Sequence, residues 1–247
     1  MNMKGECMSA DSSIKTVKRG AIPSARHELA AAMPHVPIPI VPPNYIWSYG
    51  KISMWGNDTY GDCCTAEEAF AKSCNPQVFI NDAEVEAWAK AHNILNGASL
   101  VGVLQLMQKD GFEQDAYKWD DGNYSSVNWT NPDILHSAIY HGPVKIGVAA
   151  EQLEKTCGDQ GFGNSGWVAT GYKEDNNEDH CVSLCGYGTM NWLAQQLRTS
   201  IPSGVDGTKP GYAMFTWSSV GIIDQPSMLA ITHEAWLRTP TTVIIAG

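Results

Sequence analysis

A chain of 247 residues with 16 basic against 26 acidic side chains carries a formal charge of −10, which argues against nucleic-acid backbones and anionic membranes as partners. Its 43% hydrophobic and 17% charged residues supply a substantial core, so global disorder is excluded, and the length suits one large domain or two lobes sharing a cleft. No run reaches the roughly 18–20 apolar residues that cross a bilayer. The start, Met1–Cys7, lacks the apolar stretch of a secretory signal, so the default expectation is a cytoplasmic protein. Seven cysteines, an odd number, leave at least one thiol without a partner in the chain.

Taken in order, residues 1–20 are polar and read as a tail. Residues 22–46 contain six prolines and little periodicity, which predicts an extended strap across the body of the fold. Read as a detachable pro-segment, so short an extended strap would not fold alone, and that reading is disfavoured. Residues 1–45 are therefore set apart from a helical lobe at 46–130 and a β-rich lobe at 131–247. In the helical lobe, Ala66, Ala69, Phe70 and Cys74 recur at helical spacing, with Glu67 and Glu68 suiting the helix dipole. Asn81-Asp82 caps a second helix through Val85, Trp88, Ala89 and His92, and Ser99 caps a third that ends before Gly111. Residues 115–131 read as loop or short strands.

Asn131-Pro132-Asp133 opens a helix running to His141. Val144–Val148 alternates as a strand, 158–171 is a glycine-rich loop, and His180–Gly188 and Tyr212–Trp217 are further strands, with Val243–Ile245 a short edge. Helices first and strands afterwards predict an α+β fold with segregated halves.

The chemistry concentrates in two places. In Gly61-Asp62-Cys63-Cys64, Cys63 sits at a helix start, where free N–H groups favour a thiolate. Six residues upstream, Asn57 offers an amide to an oxyanion formed beside that sulfur. The candidate base is His180, in Asp179-His180-Cys181-Val182. Cys64 cannot face the same base, since one residue along a helix turns the side chain by about 100°; it packs or forms a disulfide. A zinc site from His180, Cys181, Cys185 and Cys63 or Cys64 is the rival reading. Strand alternation puts Cys181 and Cys185 on one face and His180 on the other, so no metal or other cofactor is expected.

In family order, these residues resemble the papain-like cysteine peptidases. Pro42 and Trp47 are similar to the residues opening that family's mature domain. The interval Asn57 to Cys63 matches its oxyanion glutamine to its nucleophile. Ala138-Ile139 with Gly142-Pro143-Val144 resembles its helix-to-strand passage, and Asp179-His180-x-Val182 with Gly186-Tyr187-Gly188 its histidine signature. The resemblance implies a two-lobe fold, with a helical N-terminal lobe, an antiparallel sheet or barrel C-terminal lobe and the active site between them. It also implies Cys63 as nucleophile, His180 as base, Asn57 in the oxyanion hole and a peptide or protein substrate. One departure stands out: the Tyr212–Ser218 frame puts Trp217 where the family has the asparagine that holds the imidazole. An indole donates but cannot accept, so Trp217 is expected to shield the pair, with Ser218, Ser219, Asp224 or a backbone carbonyl supplying the lost bond. A hydrolase is the first reading. A catalytically weakened binding or structural module, or an acyl-transferring ligase or transamidase, is the alternative.

Overall fold

The computed structural model describes residues 16–244. Cys7 and Ile245, both named above, lie outside them. The first half of the chain contains β1 (Ala21–Ile22), α1 (Arg26–Ala31), β2 (Tyr45–Ile46), α2 (Cys63–Cys74) and α3 (Asp82–Ala91). It continues with β3 (Ala98–Ser99), α4 (Leu100–Lys109), β4 (Phe112–Gln114) and β5 (Tyr117–Ser126). The second half runs α5 (Pro132–His141), β6 (Val144–Val148), α6 (Glu151–Gln160), β7 (Val168–Ala169), β8 (His180–Thr189) and α7 (Met190–Gln196). It ends with β9 (Pro210–Thr216), β10 (Ser219–Asp224), α8 (Gln225–Ile231) and β11 (Thr232–Ile244).

The local chemistry explains most of these boundaries. Ser99 accepts the N–H of Gly102 and Asn131 accepts those of Asp133 and Ile134, so both act as the N-caps their positions suggest. Several expectations need correction. The strap is not wholly extended: between Pro23 and Pro34, residues Arg26–Ala31 close a short helix. The 115–131 stretch contains a ten-residue strand, β5, paired along β11, and the 158–171 loop is entered by the last turn of α6. The tail is also different from its reading, because residues 16–20 pack against the body of the protein, as described below.

The main sheet has the order β4-β5-β11-β6-β8-β9-β10-β7, with β2 also on β8. Every pairing is antiparallel except β7 with β10. Its two end strands do not pair, so of sheet and barrel the fold takes the sheet. Strand alternation splits the core at β8. Cys181 and Cys185 face a cluster with Phe70, Val85, Leu104 and Phe215, whereas Val182 and Leu184 face Leu135, Met214 and Ile231. The fold is α+β, with helices α2–α4 over one face of the strands that carry His180.

All twelve residues of α2 are buried, Glu67, Glu68 and Lys72 included. Glu67 and Glu68 do not sit in the first turn as dipole partners; they anchor a dry ionic cluster. Lys145 Nζ lies 2.8 Å from Glu67 and 2.9 Å from Glu68, and Arg238 reaches the same two carboxylates at 2.8 and 3.1 Å. Lys72 pairs with Asp121. Three acids meet three bases, and the neutral sum is what allows them to be buried. Burial alone would raise the Glu68 pKa, but Arg238, Lys145 and Lys72 bring it down to about 2.

Candidate active site

Cys63 opens α2, with the carbonyl of Asp62 taking the N–H groups of Thr65 and Ala66. The first N–H groups of the helix thus lie beside the sulfur with no intrahelical acceptor. His180 is the first residue of β8, packed against that helix start. The His180 imidazole lies near enough to the Cys63 sulfur to act on its ionisation. Burial would push the Cys63 pKa up, but the neighbouring Cys64 thiol, the His180 imidazole and the backbone of Cys181 hold it well below an ordinary thiol.

The outer nitrogen of the imidazole has a partner that the sequence did not reveal. His180 Nε2 lies 2.8 Å from the hydroxyl of Thr216, neither Trp217 nor Ser218 filling that place. The ring's other nitrogen, Nδ1, is buried and has no hydrogen-bond partner among the described residues. The reason lies in the hairpin. Trp217 and Ser218 both take positive φ, 43° and 57°, and form a two-residue turn between β9 and β10. The last side chain of β9, Thr216, then meets the imidazole, while the Trp217 ring lies flat on His180 at 4.3 Å and 16°. A hydroxyl accepts as well as donates, so Thr216 can hold the N–H of an imidazolium where an indole cannot.

Asn57 is buried, and its amide Nδ2 donates to the carbonyl of Tyr60 at 3.2 Å. One of its two N–H bonds is thus used inside the loop and one is left for another acceptor. Cys64 is a buried free thiol with Sγ 3.5 Å from the carbonyl of Ala98. Of its two expected fates, it packs.

Cys63 and His180 are each 1% exposed. The cover is the chain's own N-terminal segment. Lys18 donates its N–H to Asn57 O at 2.9 Å and accepts from Trp217 Nε1 at 3.1 Å. Gly20 accepts from Ala98 N at 3.0 Å, Ala21 donates to Asp179 O at 3.1 Å, and β1 pairs in parallel with β3. Residues 18–22 therefore bridge the Asn57–Cys63 loop and the His180 strand. Further along, Ser24 donates to Glu234 Oε1 at 3.1 Å.

Glu178 lies beside that anchor. Burial, a hydrogen bond with Glu234 and the neighbouring charges of Glu234 and Asp179 raise its pKa to about 9. A raised carboxyl binds its proton more tightly in the folded chain, so its contribution is complete below the ordinary value of 4.5 and is lost as pH climbs towards about 9. Thermal melts are expected to show higher Tm at pH 5 than at pH 8, and Glu178→Gln to flatten that slope. An unchanged slope in the variant would remove Glu178 from this account.

Comparison with known proteins adds the fold. No family model and no curated protein matches the sequence. Solved structures do. The proform of the ragweed pollen allergen Amb a 11, a cysteine protease, superposes with a TM-score of 0.60 at 11% identity, over 87% of this chain and 70% of that one. Bromelain from Ananas comosus, in complex with the E64 inhibitor, gives 0.55 at 13% identity, over 81% of this chain and 99% of its own. Procathepsin L 3 of the Tenebrio molitor larval midgut gives 0.56 at 13%, over 94% and 79%.

The fold is papain-like. At such identities the likeness establishes the two-lobe architecture and says nothing of activity. Within that papain-like frame the present chain has a threonine behind its histidine, a tryptophan stacked on it and a segment of its own laid over both.

Proposed function

We propose that this chain is a cysteine hydrolase held latent by its N-terminal segment, with lobes at about 46–130 and 131–247 meeting at Cys63 and His180. The observation that carries the reading is a buried imidazole whose Nε2 is tied to Thr216, with Cys63, its pKa lowered by that His180, buried beside it. As a thiolate, Cys63 attacks a peptide or other amide carbonyl to give a thioester. His180 stabilises the thiolate and then gives its proton to the leaving amine. Asn57 and the N–H of Cys63 are the proposed oxyanion donors, each such donor typically worth ~3 kcal/mol of barrier. Water, or an amine in an acyl-transfer variant, then takes the acyl group. Trp217 keeps water off the ion pair.

The burial of Cys63 at 1% exposure favours a second reading, an inert binding module in which the same residues only pack. The test uses full-length protein carrying Gly20→Ala, which displaces the covering segment. Incubation with a peptide amide should release amine and leave a thioester on Cys63 detectable by intact mass. Cys63→Ser should abolish both. In the same background, Thr216→Val should lower kcat about 5–10-fold, as expected for one hydrogen bond of ~1 kcal/mol, and Thr216→Ser should restore it. Absence of turnover together with ordinary thiol reactivity at Cys63 would establish the module.

A further inference from the structure

The covering segment also shows what the site beside His180 accepts. Resting on the hydrolase reading, we propose that the leaving-group side of the cleft is a cation subsite, so that preferred substrates carry Arg or Lys immediately after the scissile bond. Arg19 occupies that subsite in the latent chain. Its Nη1 lies 2.6 Å from Asp179 Oδ2 and its Nε 3.0 Å from Glu154 Oε2. Beside it a cavity of about 210 Å³ is bounded by Arg19, Glu151, Glu154, Lys155 and Phe162. The one other cation there, Lys155, is turned to its own i+4 partner Asp159 at 2.6 Å, which leaves the acidic wall to the guanidinium.

The position of this wall fixes which part of a substrate it meets. Asp179 directly precedes His180, and Phe162 packs edge-on to Trp217, whose ring lies on His180. The leaving amine must come within reach of the imidazole that protonates it. The residue on that side of the bond therefore lies against Asp179, Glu154 and Phe162. Two carboxylates converging on one guanidinium favour a cation and repel an anion, and Phe162 borders the apolar stem. The backbone bonds of Lys18 and Ala21 show that an extended chain fits the groove with an Arg side chain in this place. In an acyl-transfer variant the same wall would collect a cationic amine acceptor.

The test uses the full chain with Arg19→Ala and Gly20→Ala, which vacates the subsite and lifts the segment. Peptide amides identical except for Arg, Ala or Glu after the scissile bond should give kcat/KM for Arg at least ~10-fold above Glu, with Ala between. Adding Glu154→Gln should reduce that ratio several-fold. A second readout needs no amide cleavage: labelling of Cys63 by aminoethyl against sulfonatoethyl methanethiosulfonate. The cationic reagent's advantage should shrink when Glu154→Gln is added. Equal rates for Arg and Glu peptides, or a reagent ratio indifferent to Glu154→Gln, overturn the subsite. If no peptide is cut, the reagent ratio decides alone. Should Cys63 react no faster than the other described cysteines, the hydrolase reading fails and the subsite with it.

Discussion

Gly20→Ala is expected to raise the rate at which a small alkylating agent modifies Cys63 by at least ~10-fold, without unfolding the protein. A Cβ at position 20 would lie 1.8 Å from Gly61 O, 2.5 Å from its carbonyl carbon and 2.7 Å from its Cα. All three are backbone atoms, so no rotamer change relieves the clash and the segment itself must rise. What holds it down is a set of hydrogen bonds to its backbone, the packing of Val17 and Ala21 against the apolar clusters, and the partly exposed ion pairs of Arg19. Each of those bonds contributes about 1 kcal/mol and each such ion pair ~1 kcal/mol or less. The body of the fold rests on two apolar clusters that do not depend on Gly20. Mass-spectrometric mapping of alkylated peptides reads the rate, and circular dichroism confirms folding. Alkylation at the parent rate in a folded variant would mean that the segment is not the cover.

Lys145→Met should be the most destabilising single change considered. It removes one base from a cluster of three acids and three bases and leaves the carboxylates of Glu67 and Glu68 with less compensation at 0% exposure. Removing one member of a buried ion pair typically costs about 3–5 kcal/mol. Burial disfavours the Lys145 ammonium, yet Cys181, Glu67 and Glu68 hold its pKa well above the usual lysine value, so it is a cation in the fold. Its Nζ also donates to the carbonyl of Cys64 at 2.8 Å, which ties the start of α2 to β6. Denaturant melts should show the loss, and pairing Lys145→Met with Glu67→Gln should return part of it by restoring neutrality. Parent-like stability in the single variant would contradict a charged cluster.

The parts legible in the sequence are those where one periodicity or one cap dominates. Helices α2 to α5 have regular apolar positions or a capping Ser99 or Asn131, β6 alternates, and β8 and β9 are apolar runs of strand length. Helix α6 is hard to read from sequence because only Leu153 and Cys157 of its residues are buried, too sparse a stripe beside a glycine-rich stretch. Helix α8 carries a readable signal, Asp224 as N-cap accepting from Ser227 N with a proline in the first turn. At the site, Cys63 and His180 were visible through helix-start and strand-start chemistry. Thr216 was hidden, because a frame counted from Tyr212 cannot show that a two-residue turn ends the strand one position before Trp217. Residues 18–22 were hidden for a different reason. Their hold on the groove is made largely by backbone groups, which every sequence has, and only glycines, Gly20 with Gly61 and Gly97 opposite it, record how closely the chains pass there.

The proposed latency and chemistry meet at one property, a Cys63 sulfur whose pKa the neighbouring His180 lowers. The most direct measurement is the pH dependence of Cys63 alkylation in the Gly20→Ala chain, with and without His180→Ala. At pH 6 an ordinary thiol of pKa ~8.5 is well under 1% ionised. The ion pair predicts that Cys63 still reacts rapidly at that pH, and that His180→Ala restores the steep rise towards alkaline pH of a common thiol. An ordinary thiol profile in both proteins would contradict it.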